Sequence, residues 1–276
     1  MELVEREGLL ARLEACLQQA QTAGRLALVA GEAGVGKTSL LHRFVEASPD
    51  SFRVLWGACD PLSTPRALAP FLDMPPFAEL LEEQHGSHEL LAALLAALSA
   101  PTVMVVEDAH WADEATLDAL RFLGRRATKT RSVVLVSYRD DEVGAGHPFR
   151  TVLGDLATAP GCERLRVPPL TPAGVRTLAA GQALDPDRLH RVTGGNAFYV
   201  TEVLAAPGWT VPLSVTDAVL ARVSRLTGPA RALVDFISLA PGGLEVEVAD
   251  GLKGGAADAL EEAVDRGVLT ASGARL

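Results

Sequence analysis

The feature that most limits what this chain can fold into is the loop Gly31-Glu32-Ala33-Gly34-Val35-Gly36-Lys37-Thr38, which fits G-x-x-x-x-G-K-[ST]. Such a loop works only between a β-strand and the first turn of an α-helix. Its glycines let successive backbone N–H groups turn inward on phosphate oxygens, and the helix N-terminus adds its positive dipole end. The flanks suit it: Leu26–Ala30 is an apolar run of strand length, and the residues from Lys37 onward have helical spacing. Lys37 is expected to stand as a local cation on a solvent-facing loop, directed at the β- and γ-phosphates, with the Thr38 hydroxyl offered to magnesium. Elsewhere the chain chooses Arg for its cations and holds three lysines in all, Lys37, Lys129 and Lys253, so lysine at this position reads as chosen for its compact shape. Residues Gly31 to Ser39 are therefore the expected seat of a nucleoside triphosphate.

Five apolar runs of strand length follow one another from Leu26 to Val167: Leu26–Ala30, Arg53–Gly57, Thr102–Val106, Val133–Tyr138 and Arg164–Val167. The first four each precede a stretch with helical periodicity or capping residues. Strands buried on both faces and alternating with helices predict a three-layer, mostly parallel α/β sheet. Glu5–Gln21 reads as an amphipathic helix in front of the first strand, and Leu90–Ala100 as a buried helix. Pro168-Pro169 closes this regime. Beyond it Thr171-Pro172 and Asp185-Pro186 are cap-then-proline helix starts, and from Pro212 further helices are expected at Val215–Leu226, Ala230–Leu239 and Ala257–Val264. Val268–Ala271, Ser272-Gly273 and Ala274–Leu276 read as a strand, a turn and the start of a returning strand. The boundaries expected are 1–168 for a nucleotide-binding domain, 169–211 for a helical lid and 212–276 for an incomplete third unit.

The run Val103–Val106 delivers Glu107 and Asp108 at its carboxyl end, where open parallel sheets bind their ligands. This is a Walker B arrangement. Glu107 is assigned to magnesium and Asp108 to activation of the attacking water, against the plainer role of a helix cap for Asp108 or Asp113. Val133–Tyr138 ends in Arg139 at the same sheet edge, where it is expected to sense the γ-phosphate; its competing role is an ion pair with Asp140, Asp141 or Glu142. Arg121, Arg125, Arg126, Lys129 and Arg131 lie toward the end of the helix after Asp113, where cations meet its C-terminal dipole. His110, Trp111 and Trp56 are read as packing.

Composition narrows the function further. A formal charge of -10 excludes a broad phosphate-backbone footprint, which needs clustered Lys and Arg. Cys16, Cys59 and Cys162 show no metal-ligand or redox spacing, and no apolar run approaches the roughly 20 residues that span a bilayer. A cytoplasmic protein without a membrane partner is expected. No Asn-Lys-x-Asp element marks a GTPase, and no Leu-Ser-Gly-Gly signature marks a transporter ATPase.

Leu3-Val4-Glu5-Arg6-Glu7, the phosphate loop, Glu107-Asp108-Ala109-His110-Trp111-Ala112-Asp113, Tyr138-Arg139 and Thr193-Gly194-Gly195-Asn196-Ala197-Phe198-Tyr199-Val200 together resemble the AAA-like ATPase module of STAND-class regulators, especially the large LuxR-type transcriptional regulators. The resemblance implies a nucleotide-binding domain, a helical domain and a winged-helix domain enclosing ATP or ADP with Mg2+, with slow hydrolysis to ADP and phosphate. It also implies ATP-dependent self-association, a regulatory inducer or protein partner, and continuation into a longer transcriptional regulator. Three positions depart from the pattern. Glu5 stands where the family usually has Gly, Ala197 where it has Pro, and Glu107 where it often has Asp. Two other readings compete with the switch: a P-loop small-molecule kinase and a nucleotide-locked scaffold without turnover. The segment from Pro212 carries nine acids against six bases, net -3, so it is not expected to bind DNA directly.

Overall fold

A computed structural model of the protein describes residues 3–62, 64, 66–75, 77–78, 87–206, 211–240 and 256–269. The expected strands appear as β1 (Arg25–Ala30), β2 (Arg53–Ala58), β3 (Thr102–Glu107), β4 (Val133–Tyr138) and β5 (Cys162–Arg166). They form one parallel sheet in the order β2-β3-β4-β1-β5. The chain leaves β1 for the far edge and later returns past it to β5. The carboxyl ends of β3, β4 and β1 thus stand side by side, and the crevice above them is where such sheets bind ligands.

Side-chain alternation builds two cores, one on each face of the sheet. Leu26, Leu28, Met104, Val106, Val134 and Val136 point to one face and pack with Phe71, Leu120 and Phe149. Ala27, Val29, Val103, Val105, Val133 and Leu135 point to the other and pack with Leu13, Leu17, Leu40 and Phe44. The second core is covered by α1 (Glu7–Ala20) and α2 (Lys37–Glu46). The first is covered by α3 (Ala69–Leu72), α4 (Ser87–Ala97), α5 (Glu114–Gly124) and α6 (Pro148–Leu156). The three-layer α/β architecture is as expected, with two local differences. The edge strands β2 and β5 are not buried on both faces, because each lacks a neighbour on one side. The helix read as buried at Leu90–Ala100 is instead one-faced: Leu94 and Leu98 are sealed while Ala92 and Ala96 face solvent.

Both cap-then-proline starts form. Thr171 accepts from the Gly174 N–H to open α7 (Pro172–Leu178), and Asp185 accepts from the Asp187 N–H to open α8 (Pro186–Thr193). With α9 (Ala197–Ala205) they bury Leu170, Val175, Leu189 and Val200 in a small core of their own. Further helices are α10 (Leu213–Val223), α11 (Gly228–Ser238) and α12 (Ala256–Asp265), and Leu233, Ile237 and Ala259 form a core between the last two. Of the expected terminal hairpin, Val268 and Leu269 are bends packed on that core rather than strand, and Thr270 to Leu276 lie outside the described residues. Among the described residues no helix is long and apolar enough to cross a membrane.

Candidate nucleotide site

The loop between β1 and α2 has the conformation its glycines permit. Gly34 at φ 78° and Gly36 at φ 101° occupy the left-handed region, and a Cβ on Gly34 would lie 2.8 Å from Asn196 Oδ1 and 2.9 Å from Phe198 Cβ. Lys37 is not the solvent-facing cation expected from the sequence. It is 7% exposed, and its Nζ donates to the carbonyls of Gly31 at 2.7 Å and Glu32 at 2.9 Å. The loop curls over the ammonium and braces itself on it. Burial lowers the Lys37 pKa, while the Asp108 carboxylate opposes that shift.

Thr38, Glu107, Asp108 and Arg139 converge from three elements. The Thr38 hydroxyl donates to Glu107 Oε1 at 2.6 Å, placing two hard oxygens side by side. Asp108, at φ 51°, heads a short 3-10 turn over Ala109–Trp111 without capping it, and its N–H donates to Ser137 Oγ at 3.0 Å. The cap of α5 is Asp113, which accepts from the Ala115 and Thr116 N–H groups, so the Asp108 carboxylate is left for the cavity. Burial raises the Asp108 pKa against the pull of Arg139 and Lys37. Arg139 ion-pairs with Glu142 at 2.6 Å and lies 4.6 Å over the Trp111 ring. The ion pair named as its competing role is thus present, and Arg139 also lines the cavity.

That cavity has a volume of about 290 Å³ and is lined by Ala33, Gly34, Gly36, Lys37, Thr38 and Ser39 from the loop, with Asp108 and Arg139 opposite. Of the nine loop residues, Gly31, Glu32 and Val35 stand behind it. Glu32 contributes its carbonyl to Lys37, and Val35 is buried in the core under α2. Ala197, Phe198 and Thr201 of α9 complete the wall. Asn196 caps α9 and donates from Nδ2 to the Ala33 carbonyl at 2.8 Å, while the Phe198 N–H donates to the Gly34 carbonyl at 2.9 Å.

Several contacts were not legible as functional. Arg222 of α10 donates to the Ala33 carbonyl at 3.0 Å, and Arg225, one turn on, pairs with Glu142 at 3.0 Å. With Arg139, Phe198 and Tyr199 they border a second cavity of about 310 Å³ that also opens on Ala33 and Gly34. The only signal available in sequence was the i, i+3 spacing of two arginines on one helix face. Arg6, 3% exposed, donates to the carbonyls of Val35 at 3.2 Å and Pro168 at 2.8 Å, tying the loop's underside to the end of β5. Glu5 sits at φ 60°, a conformation suited to glycine, and its carboxylate accepts from both the N–H and the hydroxyl of Thr171. Trp56 packs against the second core, as expected from the sequence, and in addition its indole N–H donates to Glu107 Oε2 at 3.1 Å. His110 is sealed, with neither ring nitrogen hydrogen-bonded, and burial drives its pKa down to about 3. It is neutral packing, as expected. Arg121 pairs with Asp155 at 2.6 Å and Arg126 lies on the Phe122 ring, in keeping with structural roles for the basic cluster.

Residues 2–136 match the family model of the AAA ATPase domain. No curated protein matches the chain at a significant level. Among solved structures, the Orc1 protein of Aeropyrum pernix in complex with DNA aligns over 96% of this chain and 84% of its own, at 18% identity and a TM-score of 0.52. The Walker-type ATPase of Pyrococcus abyssi aligns over 99% and 92%, at 14% identity and a TM-score of 0.63. A signal transduction ATPase with numerous domains (STAND) and a tetratricopeptide repeat sensor, from Pyrococcus horikoshii, aligns over 95% of this chain and 40% of its own, at 18% identity and a TM-score of 0.44. The first two likenesses are likenesses of fold. The loop, the acidic strand end and the parallel order β2-β3-β4-β1-β5, which runs on to Arg166, make a P-loop NTPase core whose first part, residues 2–136, matches the AAA ATPase model, and a helical region follows that core.

Proposed function

We propose that the chain is an ATP-binding switch module that hydrolyses ATP slowly, of the STAND class and from the N-terminal part of a LuxR-type transcriptional regulator. One observation carries the reading: the Ala33 carbonyl of the phosphate loop accepts from both Asn196 and Arg222, at 2.8 and 3.0 Å, so two helical segments distant in sequence rest on the backbone that a nucleotide would contact. Occupancy of the loop is thereby felt directly by α9 and α10, which is what a switch needs. A cytoplasmic location rests on the cysteine spacing read from the sequence, and a LuxR-type context on the motif resemblance alone. An inducer or regulatory partner and ATP-dependent self-association rest on that resemblance too.

The residues fit a magnesium nucleotide. Mg2+ takes one or two protein oxygens and completes its shell with phosphates and water, and Thr38 Oγ1 and Glu107 Oε1 supply such a pair beside the loop. When bound, the ion would neutralise charge on the β- and γ-phosphates. The loop N–H groups and Lys37 hold the phosphates, and Asp108 faces the cavity as the acceptor for a proton from the attacking water. Arg139 exchanges Glu142 for the γ-phosphate. Mass spectrometry of nucleotide retained by the purified protein, followed by phosphate release, tests the reading. ATP or ADP in the site with slow release and no acceptor supports a switch; transfer to a metabolite supports a kinase instead, and occupancy without turnover supports a locked scaffold. Arg139→Ala is expected to weaken ATP more than ADP.

A further inference from the structure

Glu107 carries one more methylene than Asp, and so one more torsion that must be fixed before its carboxylate can serve as a ligand. The structure fixes it from both sides. Val103, Val105 and Glu107 alternate onto the face of the sheet covered by α2, so the Glu107 side chain emerges beside Thr38. On the neighbouring strand β2, Ala58 is opposite Glu107 and Trp56 is opposite Val105, one same-face step back along the ladder. Neighbouring strands lie about 4.8 Å apart, so a diagonal of that kind is within reach of a long aromatic side chain. Trp56 uses the reach: its indole N–H donates to Oε2 at 3.1 Å while the Thr38 hydroxyl donates to Oε1. The indole is itself held by His42, one turn beyond Thr38 on α2, which stacks on it with centroids 4.3 Å apart and planes 14° from parallel. The same helix therefore supplies the donor to one carboxylate oxygen and clamps the donor to the other.

We propose that Trp56 is a positioning residue for the magnesium ligand, setting the orientation of the Glu107 carboxylate through Oε2 so that Oε1 faces Thr38 and the metal. The proposal rests on the reading of Glu107 as that ligand. Trp56→Phe keeps an aromatic ring to stack on His42 and removes the N–H together with the five-membered half of the indole, a packing loss that falls on both arms of the test below. The effect of losing the N–H belongs in the magnesium-dependent part of nucleotide binding, a readout that general loosening of the fold does not single out. The experiment is calorimetric titration of ADP into parent and variant, once with excess Mg2+ and once with a chelator. The expected result is that Trp56→Phe reduces the Mg2+ enhancement of ADP affinity about tenfold, the scale of a hydrogen bond to a charged group. An enhancement equal to the parent's, or equal losses in both arms, overturns the proposal. A parent whose ADP affinity ignores Mg2+ overturns the assignment of Glu107 and the proposal with it, and that outcome is distinguishable because it appears without any mutation. Should the variant fail to fold, the indole 15N–H resonance of Trp56 in the parent decides. Movement on adding Mg2+ to the ADP complex supports the role, and no movement contradicts it.

Discussion

Arg222 lies 189 positions after Ala33 in the sequence and donates a hydrogen bond to its carbonyl at 3.0 Å. That bond joins α10 to the middle of the phosphate loop, the stretch whose backbone N–H groups an entering phosphate would meet. Arg222→Ala is expected to disconnect the two. Hydrogen exchange of residues 213–223 in the parent should respond to ATP, and in the variant protection of this helix should fall about fivefold and cease to respond, the scale of one lost hydrogen bond. An unchanged response in the variant contradicts the coupling.

Asp108→Asn separates binding from chemistry. It should retain magnesium and ATP yet release phosphate at least about tenfold more slowly, as expected for loss of a general base. Burial raises the pKa of Asp108, and that of Asp141 nearby. The acid limb of the parent's turnover should therefore lie above the ordinary Asp range, because turnover requires the carboxylate. The sign for stability is opposite to that of a paired acid. The folded protein keeps protons that the unfolded chain has released, so this contribution declines as pH climbs from the ordinary Asp range through the raised value. Asp108→Asn should lessen that decline in a melting-temperature series over pH. A parent-like turnover would make Asp108 a structural residue.

Glu5 poses two opposed effects at one position. Its left-handed backbone costs about 1 kcal/mol against glycine, while its carboxylate holds Thr171 at the start of α7. Bonds to a charged acceptor are worth about 1.5–3 kcal/mol, so Glu5→Gly should lower stability by about 1 kcal/mol despite relieving the backbone. Burial alone would raise the Glu5 pKa, but the bonds from Thr171 and Gly174 hold it below the usual Glu value. This contribution is present above the unfolded pKa and fades as pH falls through the folded one. Denaturant titration near neutral pH and in acid checks both statements.

The full chain should not bind generic duplex DNA tightly. Nine acids against six bases from Pro212 onward give net -3 there, and the chain as a whole carries -10. Tight non-specific binding depends on phosphate neutralisation by basic groups. Fluorescence anisotropy at low salt tests this, and sub-micromolar, salt-sensitive binding would overturn it.

The sheet was legible because its strands are short, apolar and bounded by glycine, proline or caps. Each expected run lies within two residues of the strand it became. The phosphate loop was legible because one contiguous pattern carries it. What stayed hidden are contacts made across the chain. Trp56 meets Glu107 only because β2 and β3 pair in one particular register, and Arg222 meets Ala33 only because α10 folds back over the loop. The burial of Lys37 stayed hidden for a related reason. A local pattern names the cation, but whether it faces solvent depends on how the loop curls, and here the Gly31 and Glu32 carbonyls enclose it.

Titration of ATP with Mg2+ into the parent and into Lys37→Ala tests the phosphate loop most directly. Lys37 both faces the cavity and braces two loop carbonyls, so the variant should remain folded with a modestly lower melting temperature. Its ATP affinity should fall by about a hundredfold or more, the scale of removing a charged partner from a partly buried phosphate site. A folded variant that binds ATP as tightly as the parent would contradict the phosphate-loop assignment and the switch built on it.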